Sequence, residues 1–175
     1  MKKFNITVLL LLSSLMISCG FHLRGSQDFS AVLPEVKIQG ISKHSELGRE
    51  LIHALTSSKV NVLDESDTVL NITQNLLSKR VLSLDSAGRA NQYELGYQLT
   101  FSLVKKVQDE GKQKLVDLMP LQNIREKREY LFDANLVLAK TDEEQQLNND
   151  MRDKAILQLM RRLNFSLKKA DSTKK

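Results

Sequence analysis

The feature that most constrains this fold is one stretch, residues 92–103, in which polar and apolar side chains alternate strictly. The apolar members occupy every odd position: Tyr93, Leu95, Tyr97, Leu99, Phe101 and Leu103. Because successive side chains of a β-strand point to opposite faces of a sheet, this pattern places one face in a core and the other in a polar setting. The rest of the chain must therefore supply further strands and a cover for one apolar sheet face.

Three other segments have strand character. A short one spans Glu35–Ile41, a long one spans Thr68–Leu84, and a returning strand spans Lys114–Phe132. Pro120 lies inside the returning strand and predicts an edge position or a bulge there, because proline cannot donate a hydrogen bond to a ladder. Residues 59–63 predict a brief connecting strand at most.

The long strands are separated by residues that favour tight turns. The first turn is Asp85-Ser86-Ala87-Gly88, in which the glycine is free to take a positive φ angle. The second is Asp109-Glu110-Gly111. Both predict hairpins, so the three long strands should pair antiparallel in chain order.

Two amphipathic helices are predicted. The first is capped by Ser42 or Ser45, runs to about Ser57, and carries leucines every fourth residue: Leu47, Leu51 and Leu55. The second begins with a capping box, in which Thr141 is the N-cap and Glu144 is the third helical residue. It runs to about residue 163, and its apolar stripe contains Leu147, Met151, Ala155, Leu159 and Leu163.

This order of elements predicts an α+β fold. We expect a two-layer sandwich with two helices packed on one face of a mostly antiparallel four-stranded sheet. The other sheet face would stay polar and open to a partner. A single domain is predicted over residues 34–167, with a tether at 19–33 before it and a basic disordered tail at 168–175 after it.

The N-terminus reads as an export signal. Lys2 and Lys3 precede an apolar run, Ile6–Ile17, which is too short to span a bilayer in the mature protein. Cys19 is the single cysteine of the chain, so it forms no internal disulfide. The segment Met16–Gly20 resembles a bacterial lipobox, in which the thiol is acylated and the chain is cut before the cysteine.

The lipobox resemblance implies a signal peptide at residues 1–18 and a covalent N-terminal diacylglycerol and N-acyl lipid on Cys19. Several acyl chains on one residue give stable membrane attachment. Gly20 replaces the aspartate that marks retention in the inner membrane, which implies the outer membrane as the destination. An ordinary secretory signal with an incidental cysteine is the alternative.

Composition argues against several classes of function. Removing residues 1–18 leaves 157 of 175 residues and, without Lys2 and Lys3, a formal charge of +3 instead of +5. This excess is too small to predict a nucleic-acid partner. The sequence contains no nucleophile elbow, phosphate loop or zinc-protease helix, and its three histidines lack metal-ligand spacing. We therefore predict no catalytic residue, no metal and no cofactor.

The residues that follow the lipobox carry a family resemblance. Residues 19–25 read CGFHLRG, Leu33-Pro34 precedes the first strand, and residues 132–140 read FDANLVLAK before the last helix. Together with the Gly88-to-Tyr93 hairpin entry and the final helix, these segments are similar to the LPS-assembly lipoprotein family (LptE, also called rare lipoprotein B). The resemblance covers nearly all of the mature chain.

The resemblance implies a non-enzymatic function. Members of this family pair with a large β-barrel, the LPS-assembly protein D, and lie largely inside it as a plug. The pair inserts lipopolysaccharide into the outer leaflet of the outer membrane. A free-standing periplasmic lipid- or ligand-binding lipoprotein and an envelope hydrolase remain as alternatives.

The resemblance also suggests where lipopolysaccharide binds. The family has a basic residue at the tip of the first long hairpin, where this chain has Ser86 near the expected place and Arg89 close by. A second family position lies just before the last helix and corresponds to Lys140. Basic side chains can bind the phosphates of lipid A. Four further basic residues near strand ends are expected to be solvated: Lys79, Arg80, Lys105 and Lys106.

Overall fold

The computed structural model describes residues 29–109, 111–133 and 136–172. Its elements are, in chain order, β1 (Glu35–Gln39), α1 (Glu46–Ser57), β2 (Asn61–Val62), β3 (Thr68–Leu84), β4 (Ala90–Asp109), β5 (Lys112–Leu131) and α2 (Val137–Ser172). The strands form one sheet in the order β2-β1-β3-β4-β5. β1 runs parallel to β2 and β3, whereas β3, β4 and β5 pair antiparallel through two hairpins.

The α+β class with two helices is confirmed, but the predicted count of four strands is wrong. The fifth strand is β2, in which Asn61 and Val62 pair with Glu35 and Val36 of β1. Its backbone is held by hydrogen bonds from Asn61 N to Pro34 O at 2.9 Å and from Leu63 N to Val36 O at 3.0 Å. A strand of two residues is too short to show a hydrophobic period, so its pairing depends on the position of β1.

Both helices join the core on the apolar face of the sheet, as predicted. The odd residues from Leu95 to Leu103 are buried, while Gln92, Glu94 and Gln98 on the opposite face are only partly covered. One continuous cluster joins these strand residues to side chains from α1 and α2: Leu47, Leu51, Leu55, Met151, Ala155, Leu159 and Leu163. The alternation in the sequence therefore identified the core face correctly.

The two helix starts differ in outcome. Ser45 caps α1, and its hydroxyl accepts a hydrogen bond from Gly48 N at 3.1 Å, as one of the two predicted caps. The capping box at Thr141 is wrong, because α2 begins at Val137 and Thr141 lies one turn inside it. The Thr141 hydroxyl donates to Val137 O at 3.0 Å, a backbone contact that threonine makes inside helices as readily as it caps them.

The domain is wider than residues 34–167 at both ends. Phe29 and Leu33 are each only 2% exposed, and Phe29 N donates to Ser58 O at 3.0 Å, so the predicted tether has already joined the core by residue 29. The predicted tail is also wrong up to residue 172, because α2 continues through Ser172. Leu167 is 5% exposed and extends the apolar stripe of the helix by one turn. Residues 19–28 and 173–175 lie outside the described residues.

Pro120 occupies the predicted kind of position. It lies in β5, an edge strand of the sheet, next to an irregularity in the ladder. Leu103 pairs with Met119, whereas Val104 pairs with Asp117, so the register shifts by one residue between them. An edge strand with a bulge tolerates proline because the missing amide hydrogen leaves no ladder partner unpaired.

The sheet is longer than the helices that cover it. β3 begins at Thr68, opposite Lys105, so residues 106–109 and 112–115 extend beyond it as a two-stranded ribbon. We call this the tether end, since the chain enters the domain there. The opposite end, called the tip end, holds the turn Asp85–Arg89, the end of β5 and the first turn of α2. Within the described residues, no helix is long and apolar enough to cross a bilayer.

Gly40 terminates the pairing between β1 and β3. It has a φ angle of +92°, and a Cβ atom there would lie 2.0 Å from the Ile72 carbonyl oxygen. Gly88, in the hairpin turn, has a φ angle of +77° but open space around the same position. A side chain at position 88 would therefore meet only the cost of a positive φ angle, whereas one at position 40 would also clash with the backbone.

We expect Gly88→Ala to lower the free energy of unfolding by about 1 kcal/mol, the cost of an unfavourable φ angle. Gly40→Ala should cost at least about 3 kcal/mol, because β1 must also move away from β3. Chemical denaturation of both variants measures the difference. Equal losses at the two positions would contradict the close approach of Gly40 to Ile72.

Candidate functional site

The two basic residues singled out from the sequence lie at the same end of the sheet. Arg89 closes the turn between β3 and β4, and Lys140 lies in the first turn of α2. The ladder joins these regions, because Gln92 near the start of β4 pairs with Leu131 at the end of β5. Phe132 N also donates to Asn91 O at 2.8 Å. Both predicted cations therefore lie at the tip end, although they are 51 residues apart in the sequence.

Arg89 is held by the aspartate that opens its turn. Asp85 Oδ1 accepts hydrogen bonds from Ala87 N and Arg89 N, each at 2.9 Å, and Oδ2 accepts one from Arg89 Nε at 2.9 Å. The backbone hydrogen bond from Arg89 is the main reason that the pKa of Asp85 lies below its usual range. The Arg89 side chain is 72% exposed, so the turn fixes its base and leaves the guanidinium accessible.

Lys140 is more covered and also has an acidic neighbour. Its side chain is 20% exposed, and Nζ lies 2.7 Å from Glu143 Oε2 one turn along the helix. An ion pair of this kind near the surface contributes little to stability. An incoming phosphate can therefore compete with Glu143 for the ammonium group, just as it can compete with Asp85 for Arg89.

The tip end also carries exposed apolar side chains. Five large hydrophobic residues at the tip end are each more than half exposed: Leu84, Leu131, Leu136, Val137 and Leu138. Leu138 is the most exposed of them at 79%. Single exposed leucines are common on protein surfaces, but several in one region mark a site of contact with another apolar surface. Cations set among exposed aliphatic groups match an amphipathic ligand that carries anionic groups.

A third cation, Lys79, fastens α2 to the sheet beside this region. Lys79 Nζ lies 2.6 Å from Glu144 Oε2, and the Tyr130 hydroxyl donates to the same oxygen at 2.6 Å. The ammonium group also lies 4.4 Å from the centroid of the Tyr93 ring, which stacks on Tyr130 at 5.7 Å. Lys79 is exposed, as expected, but it is also ion-paired and joins β3 to α2.

The titration behaviour of this cluster reflects a balance of burial and pairing. Burial alone would raise the pKa of Glu144, but the hydrogen bonds from Lys79 and Tyr130 outweigh it and lower the pKa below 4.5. Burial alone would lower the pKa of Lys79, but its contacts with Glu144 and Tyr130 raise it. Burial and the hydrogen bond with Glu144 together raise the pKa of Tyr130.

The uncovered face of the sheet carries polar and charged side chains, as predicted, but Leu76 and Leu131 are also exposed on it. Arg80 Nε lies 2.7 Å from Glu94 Oε1, and Lys127 Nζ lies 3.2 Å from the same oxygen. The hydrogen bond from Arg80 is the main cause that lowers the pKa of Glu94 to about 2. Arg80 is thus ion-paired as well as exposed. Among the described residues, no group of three or more His, Cys, Asp or Glu side chains is placed to hold a metal ion.

Sequence reasoning missed Lys79 because its partners are distant in the chain. Glu144 is 65 residues away from Lys79 in the sequence. Tyr130 comes close to Lys79 only because Tyr93 of the middle strand pairs with Val81 on one side and with Tyr130 on the other. The strict alternation around Tyr93 was the available signal, since it put an aromatic ring on the helix-covered face. Cys19, the predicted site of lipid attachment, lies outside the described residues.

Comparisons with known proteins agree on one family. The family model described as LptE, lipopolysaccharide-assembly, matches residues 33–163. The LPS-assembly lipoprotein LptE of Photorhabdus laumondii is 26% identical over 93% of this chain and 87% of its own length. The protein of the same name from Pectobacterium atrosepticum is 27% identical over 83% of this chain and 76% of its own length.

Solved structures extend the similarity to the fold. Rare lipoprotein B from Shewanella oneidensis superposes with a TM-score of 0.60 at 27% identity, over 77% of this chain and 98% of its own. Lipoprotein B from Nitrosomonas europaea superposes with a TM-score of 0.62 at 28% identity, over 81% of this chain and 88% of its own.

The cluster around Glu144 predicts a pH-dependent contribution to stability. Because the pKa of Glu144 is lowered on folding, its stabilisation is complete above the unfolded value of 4.5 and disappears as the pH falls through the folded value. We expect Glu144→Gln to be about 1 kcal/mol less stable than the wild type at neutral pH. This difference should shrink steadily below pH 4.5.

Denaturation curves measured across this pH range test the prediction. Asp142→Asn is a matched control, since it removes an exposed carboxylate from the same helix. If Glu144→Gln and the wild type differ equally at every pH, the carboxylate is not the group that holds Lys79 and Tyr130.

Proposed function

The chain belongs to the LptE family of lipopolysaccharide-assembly proteins, and on that basis we propose that it is an outer-membrane lipoprotein anchored through Cys19. In this proposal it plugs the β-barrel of the LPS-assembly protein D, supports assembly of that barrel, and assists insertion of lipopolysaccharide into the outer leaflet. Its task is to bind and to hold, and no bond is broken.

The length of the sheet supports a role that extends through the membrane. β4 runs from Ala90 to Asp109, which corresponds to roughly 60 Å of strand. A bilayer with its headgroups is about 40–45 Å thick. The N-terminal segment enters near one end of this strand, and the candidate site lies at the other. A chain anchored on the periplasmic side would place its tip end near the opposite leaflet if a surrounding barrel held it upright.

The charged open face supports a barrel as the surrounding partner. Arg80, Glu94 and Lys127 on that face would be costly to bury in lipid. Large outer-membrane barrels have polar interiors, and some of these interiors are plugged by other protein segments. A barrel lumen therefore provides the polar environment that this sheet face requires within the thickness of a membrane.

The observation that carries the lipopolysaccharide assignment is the composition of the tip end. Arg89 and Lys140 lie there together with five exposed aliphatic side chains. Lipid A combines phosphate groups with acyl chains. Arginine binds phosphate bidentately through charge-assisted hydrogen bonds, and lysine acts as a point charge. The weak ion pairs to Asp85 and Glu143 hold both side chains in place until phosphate replaces the carboxylates.

We expect Arg89→Asp combined with Lys140→Asp to weaken binding of lipopolysaccharide by at least about tenfold, because charge-assisted hydrogen bonds are lost and repulsion replaces them. Binding should be measured at low salt, where screening of exposed charges is weakest. Lys112→Asp with Lys114→Asp is the matched control, since it changes the net charge equally at the tether end.

Circular dichroism of both double variants establishes that the fold is retained. If the Arg89 and Lys140 variant binds lipopolysaccharide as tightly as the wild type, or if the control loses affinity equally, these two residues do not form the binding site. A loss confined to the tip-end variant supports the assignment.

Purification from detergent-solubilised envelopes tests the partner and the anchor together. We expect one large β-barrel protein to accompany this chain in a one-to-one ratio, as measured by native mass spectrometry. The intact mass of the chain should correspond to residues 19–175 plus a diacylglycerol and an N-acyl group. A chain that purifies alone would contradict the plug, and an unmodified Cys19 would contradict the anchor.

A further inference from the structure

The ribbon at the tether end lies beside the point where the N-terminal segment enters the domain. An open cavity of about 460 Å³ is lined by Leu33 of the entering segment, by Lys105 and Val116 at the base of the ribbon, and by Leu167 near the end of α2. The base of the ribbon and residues 31–35 therefore face one another across a single cavity. Whatever surface Cys19 is attached to must lie near this end of the molecule.

The chain between Cys19 and this end is short. Ten residue steps separate Cys19 from Phe29, which is already buried in the core. A fully extended chain covers at most about 3.6 Å per residue, so Phe29 lies within roughly 36 Å of the attachment point. The ribbon projects by about five residues in each strand, or roughly 17 Å. Its turn can therefore reach the bilayer surface that holds the lipid.

One face of the ribbon combines lysines with exposed valines. Residues opposite each other in an antiparallel ladder share a face, and Lys105 pairs with Val116 while Val107 pairs with Lys114. Lys112 completes this set through its pairing with Asp109. We call Lys105, Val107, Lys112, Lys114 and Val116 the basic ribbon face.

The basic ribbon face carries free positive charge. Among the described residues, Lys105, Lys112 and Lys114 form no salt bridge or side-chain hydrogen bond. Among the described residues of the ribbon, Asp109 is the one acidic residue on this face, which leaves an excess of two positive charges there. Glu35 and Asp67 line the cavity at the base of the ribbon, beside Lys105. Val107 is 38% exposed and Val116 is 40% exposed, so apolar surface lies between the ammonium groups.

This arrangement matches the interface of an anionic bilayer. Lysine stems lie along apolar surface while their ammonium groups reach phosphates, and small apolar side chains enter the headgroup boundary. Attraction to anionic lipid acts over about one Debye length, so it requires the short distance that the anchor provides. Arg89 and Lys140 differ, because each is paired with a carboxylate in the same turn.

We propose that the basic ribbon face docks on anionic phospholipid headgroups of the leaflet that holds the lipid on Cys19. This inference rests on the lipid anchor of the proposed function, but it concerns the tether end and a different lipid. Docking gives the domain a second contact with the membrane besides the anchor. It sets the orientation of the sheet, so that the tip end points away from the leaflet by most of the length of β4.

Tryptophan fluorescence provides the test, because the chain contains no tryptophan. The full chain is purified from membranes and reconstituted into vesicles of phosphatidylcholine and phosphatidylglycerol, with brominated phosphatidylcholine as the quencher. Val107→Trp places the probe on the basic ribbon face. Leu138→Trp, which is 79% exposed at the tip end, is the matched control. We expect quenching of the first probe and little quenching of the second.

The charge dependence distinguishes docking from incidental contact. Lys112→Gln with Lys114→Gln, in the Val107→Trp background, should shift the docking equilibrium about thirtyfold toward the undocked state, as expected for two basic side chains near an anionic surface. Raised salt, or vesicles made of phosphatidylcholine alone, should likewise reduce the quenching at residue 107. Arg89→Gln with Lys140→Gln removes equal charge and should leave the quenching unchanged.

Three outcomes would overturn the proposal. The first is no quenching at residue 107 in a chain whose Cys19 is acylated. The second is quenching that changes neither with salt nor with the lysine substitutions, and the third is equal quenching at residues 107 and 138. Binding of the ribbon to a protein surface instead would give the first of these. An unacylated Cys19 overturns the anchor itself, which a mass spectrum of the same sample distinguishes. Val116→Trp is the second probe on this face if Val107→Trp does not fold.

Discussion

The structure depends on burial of one face of one long strand. Leu99, Phe101 and Leu103 on β4 have no measurable exposure, and each such side chain contributes about 1.5–3 kcal/mol when it leaves water. No other strand carries so long an apolar row. α2 packs across β4 and β5, and α1 packs beside it against α2 and β2, so both helices join the core on this face. The helices cover only part of the sheet. Burial along β4 is confined to residues 95–103, and the strand continues beyond them at both ends.

This mismatch explains why both candidate surfaces lie at the ends of the molecule. Where the helical cover stops at the tether end, Val107 continues the apolar row of β4 and becomes exposed, whereas the exposed Leu131 at the tip end lies on the uncovered face. Basic residues lie among them at each end. The two ends are not equivalent, because the cations of the tip end are held by neighbouring carboxylates, whereas the lysines of the ribbon are not. The tip end can therefore present fixed hydrogen-bond donors to a specific ligand. The ribbon instead presents unpaired positive charges that attract an anionic surface.

The region next to the tip end is held by polar contacts in place of further apolar packing. Glu144 accepts hydrogen bonds from Lys79 and Tyr130, so a single carboxylate joins α2 to both β3 and β5. Arg152 has a comparable role farther along α2, where it is 2.8 Å from Glu46 and 2.7 Å from Glu50 of α1. These pairs fix where the helices sit on the apolar face, which a non-directional hydrophobic contact alone does not determine.

The sequence by itself determined the core face, the two hairpins, the helical stripes and the family, because each follows from local periodicity or from contiguous motifs. It also restricted Pro120 to an edge position or a bulge. The start of α2, the extent of the domain and the pairing of β2 were decided by tertiary structure. From the local sequence, Thr141 could cap a helix or lie inside one, and the structure places it inside. Phe29 is held at the core by its backbone hydrogen bond to Ser58. The pairing of Lys79 with Glu144 likewise needs the register of three strands, since no local pattern relates residues 65 positions apart. Periodicity tells which way a side chain points, but the partner that it meets depends on how the elements are assembled.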